Sequence, residues 1–208
     1  QEGLLGRPRE PGEIARELSE RLHACQDESQ LEAALRQFRN REMVRIIWRD
    51  LADLSDLPET LEELTELADC VIRAALDKLY NWAIEKDGVP RDPEGREQRL
   101  VVLGMGKLGA RELNLSSDID LIYCFPAHGH TDAGRRIENE TFFTRLGRRL
   151  ANVLSRQTVD GFVFRVDLRL RPFGDSGPLV VSFDAMEQYL QGQAREWERY
   201  AMVKARAI

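Results

Sequence analysis

Apolar residues in the first half of the chain recur every three or four positions, which predicts helices. Ile14, Leu18 and Leu22 form one stripe. Leu31, Leu35 and Phe38, continued by Val44, Ile47, Trp48 and Leu51, form a second. Leu61, Leu64, Ala68, Val71, Ile72, Ala75 and Leu79 form a third. Three antiparallel helices pack such stripes most economically. Asp27, three residues before Gln30, marks the start of the second helix, and Pro58 suits the first turn of the third. A polar stretch from Asp87 to Glu97 with Gly88, Pro90, Pro93 and Gly95 reads as a linker. It divides a helical segment, 1–95, from a second part, 96–208.

In that second part the period changes. Leu100–Leu103 and Ile119–Ile122 read as strands, and Phe162–Leu170 alternates Phe164, Val166, Leu168 and Leu170 with Arg165, Asp167, Arg169 and Arg171. A helix is expected over 136–157 with Phe143, Leu146, Leu150, Val153 and Leu154 inward. A short strand at 179–181, a helix at 184–191 capped by Ser182, and a last helix from Trp197 to Ile208 complete the pattern. Strands and helices grouped in this way give an α+β chain with a mixed sheet flanked by helices, preceded by an N-terminal helical subdomain.

Composition narrows the class. The chain has 208 residues, 42% of them apolar, and a formal charge of −6 with both signs interspersed, so it can build a core and carries no basic footprint for nucleic acid. No apolar run approaches a membrane span and no signal peptide opens the chain, so a cytoplasmic location is expected, without a membrane partner. Cys25, Cys70 and Cys124 are too few and too scattered for a disulfide framework or a zinc site and are expected as reduced thiols. His128 and His130, on a predicted loop, lack further ligands nearby and read as exposed polar residues. The absence of an initial Met suggests a piece of a longer chain.

The candidate chemistry sits at 104–122. Gly104, Gly106 and Gly109 follow a strand and satisfy G-x-G-x-x-G, but only eight residues separate Gly109 from Asp118, too few for the helix of a dinucleotide-binding unit. Ala110 and Arg111 stand where a phosphate-binding P-loop needs Lys and Ser/Thr. Asp118 and Asp120, two apart at the mouth of a strand, present two carboxylates to one side, which suits a hard divalent cation and phosphate chemistry. Asp167, on a neighbouring strand, is the expected third ligand, because a two-metal phosphoryl-transfer site needs a further carboxylate. Arg169 and Arg171 would then project into the same cleft as phosphate-holding forks. Gly106 and Gly109 would let backbone N–H groups approach phosphate, and Ser117 could donate to a phosphate oxygen or cap its own turn.

A glycine turn followed by Ser-Asp-Ile-Asp-Leu-Ile resembles the nucleotidyltransferase superfamily that includes DNA polymerase β. Gly-Met-Gly-Lys-Leu-Gly at 104–109, Glu-Leu-Asn-Leu-Ser-Ser-Asp-Ile-Asp-Leu-Ile at 112–122 and Arg-Val-Asp-Leu-Arg-Leu-Arg-Pro at 165–172 more closely resemble the glutamine synthetase adenylyltransferase/adenylyl-removing family. The likeness runs from about Arg39 to the end. Where the superfamily commonly has Ser after the turn glycine, this chain has Lys107, whose ammonium could reach phosphate. Arg39, Arg41, Glu42 and Arg45 resemble an Arg-Arg-Glu-Met stretch of the family and read first as a solvated helix face, second as a contribution to the cleft.

The resemblance implies a DNA polymerase β-like fold, two Mg²⁺ ions held by Asp118, Asp120 and Asp167, and ATP or ADP as nucleotide. It also implies glutamine synthetase as partner, with a PII-type signal protein acting through the longer enzyme. Phe142-Phe-Thr-Arg-Leu-Gly, Asp160-Gly-Phe-Val-Phe-Arg-Val-Asp and Trp197-Glu-Arg-Tyr-Ala-Met-Val-Lys resemble the half that removes AMP from a tyrosine by phosphorolysis. The opposite, ATP-dependent attachment and a catalytically silent nucleotide-binding module are the alternatives. Lys204 and Arg206 read most simply as surface charges.

Overall fold

The computed structural model describes residues 5–208 and is an α+β structure with a mixed sheet between two helical layers. Three helices come first: α1 (Glu13–His23), α2 (Glu28–Leu51) and α3 (Leu57–Asp87). The second and third start where the sequence marks them. The Asp27 carboxylate accepts from the Gln30 backbone N–H, Asp56 does the same for Glu59, and Pro58 lies in the first turn of α3.

The inward face of α2 departs from expectation. Its first half buries Leu31, Leu35 and Phe38, but beyond that Val44, Trp48 and Leu51 are 66%, 57% and 78% exposed, while Glu42, Arg45 and Arg49 are buried. Hence Trp48 is no core residue, and the Arg41–Arg45 stretch is no solvated face. Its neighbours explain the rotation. Glu42 accepts from Arg9, Arg41 and Arg45, Arg45 pairs with Glu63 at 2.8 Å, and Arg49 pairs with Glu59 at 2.6 Å, so α3 and the segment before α1 supply a counter-charge for each buried ion. A buried charge is tolerable only when paired in this way.

The expected linker is partly ordered as β1 (Pro90–Arg91), paired antiparallel with β4 (His130–Thr131). The main sheet is built on β3 (Ile119–Phe125), which pairs antiparallel with β2 (Val101–Gly104) on one edge. On its other edge β3 pairs parallel with β5 (Val166–Asp167) and then with β6 (Val180–Ser182). Only two residues of the nine-residue strand expected at 162–170 keep ladder pairing, because the chain turns after Asp167. The last helix is likewise shorter than its pattern. α7 (Glu196–Ala201) ends in a single 3₁₀ turn, and Arg206–Ala207 forms β7, which pairs with β2. Arg206 is therefore not a surface charge: its guanidinium holds Asp69 of α3 through two hydrogen bonds, at 2.8 and 3.0 Å.

The two faces of β3 meet different partners. Ile119, Leu121, Tyr123 and Phe125 join a core shared with α3 and with α5 (Asn139–Ser155), where Phe125 stacks on Phe143 at 5.4 Å. The N-terminal helices and the sheet thus share one core across the boundary read at residue 95. Ile122 and Cys124 face the other way, onto a smaller cluster with Met105, Val181 and Met186 of α6 (Phe183–Gly192). Alternation places Asp120 on that second, more thinly covered face. Cys25, Cys70 and Cys124 are buried free thiols, and no helix among the described residues is long and apolar enough to cross a membrane.

Candidate active site

The glycine turn between β2 and β3 fixes the floor of the site. β2 ends at Gly104, and Gly106–Gly109 form one helical turn, α4. Gly106 has φ +54°, and a Cβ there would lie 3.2 Å from the Asp120 carboxylate, so this glycine lets the turn approach the acid. Gly109 has a different task. A Cβ on it would meet the Lys204 carbonyl at 1.8 Å and the Gly104 carbonyl at 2.4 Å, and its N–H donates to Met105 O, so it permits close packing and offers no N–H to a ligand.

Asp120 and Asp167 are direct register partners across the parallel β3–β5 ladder, so their side chains leave the sheet on the same side. Asp118 lies just before β3. Burial, reinforced by the neighbouring charges of Asp167 and Asp118, pushes the Asp120 carboxyl up from the usual carboxylate range. Among the described residues nothing donates a hydrogen bond to it. The flanking acids are matched instead. Arg169 folds back on Asp167, donating from its backbone N–H at 2.8 Å and its Nε at 2.9 Å, and these bonds hold the Asp167 carboxyl below its ordinary range. Arg165 donates to the Asp118 carboxylate and to the Ser116 carbonyl.

The structure therefore sets Asp120 beside Asp167 in the ladder, with Asp118 just before β3, and two of the three are engaged by arginines. Among the described residues no group of three acidic, His or Cys side chains is placed so that it could hold a metal ion, so the three aspartates are a candidate donor set and not a formed site. The donor set nevertheless fits Mg²⁺, which takes few protein carboxylates and completes its shell with water and phosphate oxygens. One half-buried acid lacks a donor and the two others are paired with arginines.

Arg169, 72% exposed, neutralises Asp167 rather than standing free, and Arg171 does not continue the alternation, since its Nη1 donates to Leu168 O at 2.7 Å beside Asp175. Lys107 Nζ lies 3.4 Å from Ser117 Oγ, which itself donates to Asn114 at 2.6 Å, so Ser117 caps its own turn while remaining beside Asp118. Arg165 was assigned no role by sequence, although its place on the Asp167 side of the alternating segment was the available signal.

A model of the glutamate-ammonia ligase adenylyltransferase family matches residues 1–208. The chain belongs to that family. It is 54% identical over 208 residues to the bifunctional glutamine synthetase adenylyltransferase/adenylyl-removing enzyme of Thioalkalivibrio sulfidiphilus, covering 100% of this chain and 21% of the relative. It is 55% identical over 197 residues to the same enzyme of Shewanella woodyi (94% and 21%) and 54% over 208 residues to that of Pseudomonas aeruginosa (99% and 21%). The chain thus spans about one fifth of the length of these family members.

Proposed function

We propose that the chain carries the nucleotidyltransferase site of the AMP-removing half of a longer bifunctional enzyme. In that role it acts on adenylylated glutamine synthetase in the cytoplasm and releases ADP. The observation that carries this reading is the in-register pair Asp120–Asp167 with Asp118 beside it, set next to a glycine turn in a chain of this family. The sheet with this turn and these carboxylates is the arrangement expected of the DNA polymerase β-like nucleotidyltransferases.

Asp118, Asp120 and Asp167 would hold Mg²⁺, two ions in the superfamily pattern. Bound there, the metal neutralises charge on the α-phosphoryl group and its attacking and leaving oxygens. The residues of the chain do the rest. Gly106 keeps the turn close to Asp120, so that the phosphodiester can lie against the acids without a side chain in between. Arg165 and Arg169 hold Asp118 and Asp167 in place and supply positive charge around an anionic substrate. An oxygen of inorganic phosphate attacks the α-phosphorus, the bond from phosphorus to the tyrosine oxygen breaks, and the tyrosine oxygen takes up a proton. The products are ADP and unmodified tyrosine. A PII-type signal protein would regulate this reaction through the rest of the longer chain.

The test uses the full-length protein with adenylylated glutamine synthetase. The expected outcome is AMP loss that requires both Mg²⁺ and phosphate, with ADP as product. Release of free AMP, or AMP transfer from ATP onto unmodified synthetase by this half, would overturn the direction.

A further inference from the structure

Arg39 is charged, about half-buried and without a carboxylate partner among the described residues. On α2 it donates, among the described residues, only to Asn40 Oδ1, at 3.1 Å, and its buried Nε has no acceptor among them. The guanidinium lies 5.9 Å from the ring centres of both Phe162 and Phe164, the segment leading into β5. Arg165 lies 6.0 Å from the same Phe162 ring. Two guanidiniums therefore lie near one ring, and among the described residues only Arg165 has a carboxylate partner, Asp118. Nearly every other buried cation in the N-terminal helices has an acid, so this imbalance is local.

The two arginines line a cavity of about 50 Å³ with Asn114, Ser116 and Ser117 on its polar wall. A water needs about 10–15 Å³ of such space, so the cavity takes one tetrahedral ion and no nucleotide. Two of its lining residues adjoin Asp118: Ser117 precedes it in the chain, and Arg165 donates to its carboxylate. Burial lowers the Arg39 guanidinium from its usual range, the response of a cation that lacks a counter-ion.

We propose that this cavity is an oxyanion subsite that binds inorganic phosphate, with Arg39 as its principal fork and Arg165 and Ser116 as lesser donors. That the bound ion then serves as the attacking group rests on the phosphorolytic reading; the binding itself does not. A planar guanidinium presents two parallel N–H groups to a tetrahedral oxyanion, and the Phe162 and Phe164 rings lie 5.9 Å from this one. An anion here would relieve the uncompensated charge of Arg39 and stand on the Asp118 side of the acids.

Inorganic phosphate is titrated into the chain in Mg²⁺ buffer while backbone amide shifts are followed. Saturable shifts confined to residues 113–117 and 162–165 are expected, with affinity falling at least tenfold in Arg39→Gln and less in Arg39→Lys. ADP, whose β-phosphate occupies the same position as product, should displace phosphate, whereas AMP should not. Absence of saturable binding, shifts elsewhere, or binding unchanged in a folded Arg39→Gln protein would overturn the subsite, whereas equal displacement by AMP would overturn the bound ion's role as the attacking group. Full-length protein separates the two claims. If phosphate binds as described but turnover yields AMP without consuming phosphate, the subsite stands and the reaction falls. If ADP forms with an unchanged KM for phosphate in Arg39→Gln, the reaction stands and the subsite falls.

Discussion

Replacing Glu42 by Ala tests the inverted face of α2. The Glu42 side chain is 1% exposed and accepts from Arg9, Arg41 and Arg45; the Arg9 and Arg45 side chains are themselves 3% and 4% exposed. Removing one partner of a buried ion pair typically costs about 3–5 kcal/mol, because the other charge stays buried. Here Arg9 keeps Glu13 and Glu17, and Arg45 keeps Glu63, which places the cost near the lower end, about 3 kcal/mol. For a domain of this size that is roughly a 6–12 °C fall in Tm. Trp48→Ala, by contrast, trims a side chain that already faces solvent and should cost less than about 1 kcal/mol. The pH dependence adds a sign. Burial pushes the Glu42 carboxyl up, but hydrogen bonds from Arg9, Arg41 and Arg45 prevail and hold it below its ordinary value. Its contribution is therefore present above the unfolded-state value of about 4.3 and fades as pH falls through the depressed folded value. The gap between wild type and Glu42→Ala, measured by urea unfolding, should be full at pH 7 and shrink in acid. A larger loss for Trp48→Ala than for Glu42→Ala would refute the placement of this face.

Other expectations concern the cleft. Asp120→Asn should lower turnover of the full-length protein at least ~10²-fold, the scale of losing one preorganised electrostatic group; near-normal Mg²⁺-dependent turnover would remove Asp120 from the site. The same substitution should raise the thermal stability of the metal-free chain at neutral pH. The folded carboxyl is raised, so ionising it costs stability as pH climbs past its unfolded value, and the gain should vanish in acid, where both forms are neutral. A melting curve unchanged at neutral pH would contradict the crowding of the three acids. Gly109→Ala should loosen the 202–207 segment, since its methyl group would enter the Lys204 carbonyl. Amide exchange at β7 reports this, and unchanged protection would show that the contact can shift at no cost.

The sequence carried two helix starts, the strand mouth and the glycine turn because each is a local pattern: a capping side chain, a period of two, a glycine where φ is positive. It misled where the pattern was satisfied by distant partners. Val44, Trp48 and Leu51 continue a plausible stripe, yet Glu59, Glu63 and the Arg9 segment make the charged side the buried one. The alternation at 162–170 likewise stops at Asp167, because Arg169 folds back on that carboxylate and the chain turns. Arg206 looked like a surface charge because its partner, Asp69, lies 137 positions away.

The central claim is that an oxygen of phosphate displaces tyrosine at the α-phosphorus in the Asp118–Asp120–Asp167 cleft. Phosphate labelled with ¹⁸O in all its oxygens, given to full-length protein and adenylylated glutamine synthetase, tests it through the mass of the ADP formed. Direct displacement keeps all the phosphate oxygens, including the one that becomes the bridge between the α and β phosphorus atoms, and formation of that ADP should disappear in Asp120→Asn. ADP lacking label at the bridge, or unlabelled AMP as the only product, would contradict the account.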